Sequence, residues 1–170
     1  MSFPRSVAQL ALLLCAAFAV TQADAQFAIR SGTENIYPGG QVACGPMGVN
    51  LDAYGPYDYR TDKDKLPLVE NAHFTPGVEQ FFERKTGYFG ADIGYTLYRF
   101  PNHHRALDAM VRLSKRERTD KPRGATFSTE CYFERALRFR KDDVVARMLY
   151  AEYLVQGGRA DDAQIGRAHV

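Results

Sequence analysis

The sequence predicts an all-α chain of paired helices that follows an irregular N-terminal segment. Apolar residues recur at helical spacing in the second half of the 170-residue chain, as in Leu107, Met110 and Val111. Glycine and proline cluster earlier, between Phe27 and Lys65, where they are typical of loops. Ten tyrosines and eleven phenylalanines supply enough apolar area for the core of one domain.

Residues 1–25 are predicted to be a signal peptide. Arg5 supplies positive charge, the run from Val7 to Val20 is apolar except for Gln9, and Ala23-Asp24-Ala25 fits a cleavage motif. The run is too short to span a bilayer as a helix. We therefore expect a periplasmic or secreted protein with no stable membrane insertion after cleavage. The alternative is a buried N-terminal helix.

Residues 26–74 are predicted to form an irregular segment rich in glycine, proline and tyrosine. Tyr37, Tyr54, Tyr57 and Tyr59 lie between turn-forming residues. Such a segment cannot bury a core of its own, so we expect it to lie against the helices. The short apolar run in Leu66 to Phe74 is predicted to be a strand or an extended arm.

The helical domain is predicted over residues 75–164. Thr75 suits an N-cap and Pro76 a first helical position. Val78, Phe81 and Phe82 would share one face of this first helix, and Gly87 would stop it. In the next helix, from Phe89 to Phe100, Gly90 and Gly94 permit close approach to a neighbouring helix.

Three further helices follow along the chain. They are predicted at His104–Arg116, at Ser128–Phe139 and from Val144 to Val155, and a polar loop, Arg118–Ala125, separates the first two. The packing face of the second of these helices consists of Tyr132, Phe133, Ala136 and Leu137. Together these patterns favour stacked helical hairpins.

The stretch Asp143–Ala163, with the sequence DVVARMLYAEYLVQGGRADDA, resembles a tetratricopeptide repeat. Ala151, Leu154, Gly158 and Ala163 occupy the small, apolar and turn positions of that family. Residues 136–143 resemble the end of a preceding repeat, with Lys141 where the family prefers proline. The resemblance covers residues 89–164 and implies one complete repeat flanked by two halves. The segments GPYDYR, VENAHFTP and FPNHHRAL also resemble exported bacterial repeat proteins of unknown function.

This resemblance implies a protein-binding scaffold, because such repeats are stacking units and not catalytic ones. The groove positions of the family correspond here to Arg105, Asp108, Arg112, Lys115 and Arg116, and in the following helix to Val145, Met148, Glu152 and Val155. Four of the first five are cationic. The expected partner is therefore a protein or peptide segment, acidic and with one or two apolar side chains. The resemblance implies no cofactor.

Other functional classes have weaker support in the sequence. Neither a G-x-S-x-G elbow nor an H-E-x-x-H helix is present, and we expect no enzyme activity. His103-His104 is an unfavourable metal pair, because adjacent side chains point in different directions. A formal net charge of +2 argues against nucleic acid. The alternative function is a glycan-binding or enzymatic accessory protein of the cell envelope that uses the tyrosine-rich segment.

Two cysteines, Cys44 and Cys131, remain after the predicted cleavage. An even pair in an oxidising compartment favours a disulfide, and two unrelated thiols are the alternative. The C-terminal residues 165–170 resemble the translation of a sequencing adapter and interrupt the last helix, so we expect a non-native tail. Truncation there would expose apolar residues of the preceding helix, namely Val145, Met148, Leu149, Tyr153 and Leu154.

Overall fold

The computed structural model describes residues 36–37, 41–42, 44–45, 47 and 54–165. The chain separates into a unit Met1–Thr33, which lies outside the described residues, and a unit Glu34–Val170. The predicted signal peptide and residues 166–170 of the predicted tail also lie outside them.

The described elements are two short strands, one 3₁₀ turn and seven α-helices. In chain order they are β1 (Ile36–Tyr37), β2 (Gln41–Val42), the turn Lys63–Lys65, α1 (Leu66–His73), α2 (Pro76–Glu79), α3 (Phe89–Arg99), α4 (His104–Glu117), α5 (Thr129–Phe139), α6 (Val144–Gln156) and α7 (Ala160–Ile165). The antiparallel strands pair Ile36 with Val42. The prediction of an all-α fold class is confirmed for this part of the chain.

The strand or extended arm predicted at Leu66–Phe74 is wrong, because Leu66–His73 forms α1. Pro67 lies in its first turn, where a missing N–H costs nothing, and Leu66 and Val69 are buried on one face. The irregular segment therefore ends near residue 62 and not at residue 74. The three-residue spacing of Leu66 and Val69, with a proline between them, was the available signal.

The next helix, α2, is much shorter than predicted. Thr75 caps it as expected, since its side chain accepts a hydrogen bond from the Val78 N–H. The helix ends at Glu79 because Phe81 has a φ of 61°, a left-handed conformation that no α-helix continues. Phe82 consequently leaves the face shared by Val78 and Phe81 and is exposed to solvent.

Helices α3 and α4 recur forty residues later as α5 and α6. Helix α5 begins and ends forty residues after α3, and α6 begins forty residues after α4. The connecting turns match as well: His103 caps α4 by accepting from the Ala106 N–H, and Asp143 caps α6 by accepting from the Ala146 N–H. Ala106 and Ala146 are both fully buried. We call this relation the forty-residue repeat.

Helix α4 lies at the centre of the packing. It packs against α3, α5 and α6, while α5 also packs against α6, and α7 covers another side of α6. The core between these helices includes Ile93, Leu97, Leu107, Met110, Tyr132 and Phe133. Truncation of such a side chain to alanine lowers the free energy of unfolding by about 2–5 kcal/mol. The contacts of this core fix the position of α4 relative to α6.

Candidate partner-binding surface

The predicted groove residues of α4 lie along one side of that helix. Arg105, Asp108, Arg112 and Lys115 follow each other at steps of three or four residues, and Arg116 lies four residues after Arg112, which places them on neighbouring turns. Arg105, Lys115 and Arg116 are exposed, and the other two are half-buried. These five side chains thus form one charged row along α4.

Part of this row is already occupied by the segment Glu79–Phe81. Arg105 donates to the Glu79 carboxylate from Nε at 3.0 Å and also from Nη2. Arg112 donates to the Glu79 carbonyl at 3.2 Å, and Arg116 to the Phe81 carbonyl at 3.4 Å. The hydrogen bond from Arg105 lowers the pKa of Glu79, against a smaller opposite effect of burial. An external partner must therefore share Arg105 and Arg112 with the chain itself.

The C-terminal end of the row is more open. Lys115 donates to Oε1 of Gln156, and this contact joins α4 to α6. A shallow cleft of about 250 Å³ lies beside it, lined by residues of both helices: Ser114, Lys115, Tyr153, Leu154, Gln156, Gly157 and Arg159. Asp108, by contrast, accepts a hydrogen bond from Arg112 at 2.8 Å, which satisfies part of its charge.

The predicted groove residues of α6 are exposed. Val145 and Met148 face solvent, and Glu152 accepts a hydrogen bond from Nε2 of Gln156 at 2.7 Å. Leu154, which was expected to be exposed, is buried where α7 packs on α6. Leu149 and Tyr153 are partly buried against the core. Ile165, which was assigned to the tail, is the last residue of α7.

A buried polar network between three loops was not predicted from the sequence. The Asn102 amide donates at 2.7 Å to Asp58 and at 2.7 Å to Asp143, and its oxygen accepts from the Tyr59 N–H. Asn102 is fully buried, and Asp58 and Asp143 are almost fully buried. The network thus joins the tyrosine-rich segment to the turns that precede α4 and α6.

Both carboxylates of this network are held in the charged form. Burial alone would raise the pKa of Asp58, but hydrogen bonds from Arg60, Asn102 and Arg140 outweigh it and lower that pKa far below its usual value. The pKa of Asp143 is lowered as well, because its bonds from Ala146, His104 and Asn102 together exceed the effect of burial. Such fully satisfied groups are typical of a structural network.

The two adjacent histidines have separate structural roles. His103 is fully buried; its Nδ1 accepts from the Ala106 N–H, and its Nε2 lies 2.9 Å from the Glu70 carboxylate. These contacts require a neutral ring with its proton on Nε2. Desolvation lowers the pKa of His103, and Glu70 only partly opposes this. His104 instead contacts both carboxylate oxygens of Asp143 at 2.9 Å.

The tyrosine rings pack on the helices. Tyr59 lies 4.1 Å from the His103 ring, and Tyr57 lies 5.5 Å from Phe100 and 5.2 Å from Tyr54. All three tyrosines are partly buried against a cluster formed by Leu66, Val69 and Phe100. The row of exposed aromatic rings that a sugar-binding site needs is therefore not formed by Tyr54, Tyr57 and Tyr59.

Cys44 and Cys131 form a disulfide in the structure, with their Cα atoms 5.2 Å apart. It attaches the segment before residue 47 to α5, where the buried Arg135 donates to the Cys44 carbonyl at 2.9 Å. The Glu134 carboxylate lies beside the two sulfurs, and within the described part of the chain no other group of three or more His, Cys, Asp or Glu side chains lies close enough to share a metal ion. Bridged sulfurs are not the thiolates that bind metals.

Comparison with known proteins gives no relative. No family model, no curated protein and no solved structure matches this chain. Within the described residues, none of the helices has the length and apolar character needed to cross a bilayer.

Proposed function

We propose that this chain is an exported scaffold of the tetratricopeptide-repeat type that binds a segment of a partner protein along α4 and α6. The observation that carries the proposal is the forty-residue repeat. In the repeat family, each first helix packs on its own second helix and on the next first helix. Helix α4 has this relation to α5 and α6, and α5 also packs on α6.

The charges and apolar groups of this surface define the partner. Lys115 and Arg116 offer exposed cations at the C-terminal end of α4, and Val145 and Met148 offer exposed apolar area on α6. A segment with a carboxylate, such as a chain terminus, and one or two apolar side chains complements both. Arg105, Asp108, Arg112 and Glu152 would form its polar surroundings. Neither a cofactor nor catalysis forms part of this proposal.

The alternative function, glycan binding through the tyrosine-rich segment, has less support. Its proposed contact residues Tyr54, Tyr57 and Tyr59 contribute to the packing of α1 and of the turn before α4. A ligand that used their faces would have to compete with these contacts. An exported location is supported by the disulfide, since such bonds persist in oxidising compartments.

The proposal is tested by charge reversal on the open part of the row. The chain starting at Gln26 is used as bait in an envelope extract, and the variant Lys115→Glu plus Arg116→Glu is compared with Lys121→Glu plus Lys141→Glu. Both variants change the charge equally, but Lys121 and Lys141 lie in exposed loops outside the groove. Only the Lys115→Glu plus Arg116→Glu variant should lose a specific partner. Moderate salt should weaken the capture of that partner by the unmodified chain. Identical partners for both variants would contradict the proposal.

A further inference from the structure

The two cysteines and Glu134 bring three potential metal ligands together on one side of α5. The Cys44 sulfur lies 3.0 Å from Oε2 of Glu134, and the two sulfurs and a carboxylate oxygen all lie within 4.8 Å of one another. Cys131 and Glu134 are three residues apart on α5, so the helix holds them on one face. Tetrahedral zinc, with bonds of about 2.0–2.3 Å, spaces its ligand atoms by about 3.5–3.8 Å, which is within that limit.

Cys44 is held beside α5 by contacts that do not involve its sulfur. The buried Arg135 donates to the Cys44 carbonyl at 2.9 Å, and Arg138 donates to the Gly45 carbonyl at 3.1 Å. Both hydrogen bonds end on backbone atoms, so reduction of the disulfide does not remove them. The reduced chain therefore keeps Cys44 next to Cys131 and Glu134.

The charges of this group favour a divalent cation after reduction. Two thiolates and one carboxylate carry three negative charges, which repel one another at these distances. A zinc ion leaves a single negative charge, and the guanidinium groups that bind the neighbouring carbonyls offset it. Thiolate ligands select against magnesium and calcium, and the carboxylate is a poor ligand for copper(I). Water can take the fourth position of the zinc ion.

We propose that the reduced chain binds one zinc ion through Cys44, Cys131 and Glu134, so that the cysteine pair alternates between a disulfide and a zinc site. Either state ties the segment around Cys44 to α5, by a covalent bond or through the metal. None of the three residues lies on α4 or α6, so the inference does not rest on the proposed function.

The exchange needs a dithiol reductant. Cys131 is more exposed than Cys44, so a thiolate of the reductant attacks the Cys131 sulfur and Cys44 leaves. The second thiol of the reductant then closes its own disulfide and releases Cys131. Two electrons have passed from the dithiol to the cysteine pair. Zinc binding next replaces the protons of the two thiols, which are released to water.

The test uses the chain starting at Gln26 without an affinity tag, because it contains Cys44 and Cys131 and no other cysteine. The chain is reduced with a dithiol, freed of it under anaerobic conditions and titrated with cobalt(II). We expect one equivalent to bind, with thiolate-to-cobalt charge-transfer bands in the near ultraviolet and tetrahedral bands in the visible. Zinc should displace the cobalt and bleach both. The oxidised chain is the control and should show neither band.

Variants of the chain test the third ligand. Competition with a chromophoric chelator measures zinc affinity, which Glu134→Gln should weaken at least tenfold. Glu83→Gln removes an exposed carboxylate from the loop after α2 and should leave the affinity within about twofold. Equal affinities of the two variants would show that the carboxylate of Glu134 is not a ligand, and would overturn the inference.

Circular dichroism of the reduced chain makes the remaining outcomes decisive. If the metal-free reduced chain is folded, the absence of stoichiometric cobalt or zinc binding overturns the inference. If it is unfolded, zinc should restore the helical signal, because metal binding then contributes to the free energy of folding. A reduced chain that stays unfolded with zinc would equally contradict the proposed site.

Discussion

Asn102 is the residue on which most of the buried polar contacts depend. It bridges two carboxylates that come from sequence positions 44 residues before it and 41 residues after it. The stabilising contribution of those carboxylates is present above the pKa of an unfolded aspartate, about 4, and is lost as the pH falls. Pairings over such distances leave no local pattern, which is why the sequence did not predict this network.

Asn102→Ala should destabilise the fold by about 3 kcal/mol, because it removes one buried hydrogen bond from each of Asp58 and Asp143 and removes the acceptor of the Tyr59 N–H. Urea unfolding measures this change. Asn71→Ala is the matched control, since Asn71 is exposed on α1 and its replacement should change stability by less than about 0.5 kcal/mol. Equal effects of the two substitutions would refute the structural role of Asn102.

His103 should make stability depend on pH in the weakly acidic range. Its pKa is lower in the folded state than the usual value of about 6.5, so the unfolded chain binds the extra proton first. Stability should therefore decrease as the pH falls below about 6.5 and be constant above about 7.5. His103→Asn keeps an N-cap but does not titrate, so its unfolding free energy should lose this slope between pH 7.5 and 5. If the unfolding free energies of the wild type and of His103→Asn changed in parallel with pH, His103 would not be the cause of the pH dependence.

At the scale of single elements, the glycines of α3 determine how closely its neighbours approach. The sequence predicted this role, and the geometry agrees: a Cβ on Gly90 would lie 2.5 Å from the Arg123 carbonyl oxygen, and one on Gly94 would lie 2.6 Å from the Tyr132 hydroxyl. The first obstacle is backbone and cannot rotate away. The approach is to the loop before α5 and to the tip of a tyrosine, rather than to a helix backbone.

Gly90→Ala should destabilise the chain by about 1–3 kcal/mol, because overpacking exceeds the gain in helix propensity. Gly157→Ala serves as the control. At that position φ is ordinary and the nearest atoms lie 3.4 Å from the added Cβ, so alanine should be nearly neutral. Thermal unfolding of both variants gives the comparison, and a stabilised Gly90→Ala protein would show that the close approach is absent.

The cap of α2 was predictable from residue type and position: Thr75 accepts the expected backbone N–H. The corresponding cap of α5, Ser128, was not identified as a cap from the sequence. The end of α2 was not predictable, because the left-handed conformation of Phe81 is imposed by contacts with α3 and α4. Tertiary contacts of this kind override the local preference for helix. Because they are not visible in the sequence, Gly87 was predicted as the end of this helix.

For the whole molecule, the disulfide is the one covalent cross-link within the described residues, and it joins the N-terminal segment to the helices. A bridge between residues separated by 87 positions stabilises by about 4–5 kcal/mol in the chain-entropy model. Cys44→Ser plus Cys131→Ser should therefore lower the unfolding free energy of the chain starting at Gln26 by an amount of this order. Alkylation of the denatured wild type without reductant provides the control, and two reactive thiols would contradict the bridge.

The residue types of the candidate surface were predictable from the sequence. Its contacts with the rest of the chain were not. The repeat resemblance implied both the charged row of α4 and the positions of Val145 and Met148 on the following helix. That Glu79–Phe81 would fill part of the row depends on the fold of α2 and therefore required the structure. Because the Glu79 carboxylate already pairs with Arg105, the expected site for a partner's carboxylate moves toward Lys115 and α6, and toward Arg116, which contacts the Phe81 carbonyl but no carboxylate of the described residues.

The most direct test of the scaffold function is nuclear magnetic resonance mapping of a captured partner's binding segment on the isotopically labelled chain. The proposed function predicts that the largest amide shift changes cluster at Lys115, Arg116, Val145, Met148 and Glu152. Neutralising the carboxylates of the segment should weaken these changes at least tenfold. Shift changes that instead cluster at Tyr54–Tyr59, or that are unchanged by neutralisation, would contradict binding along α4 and α6.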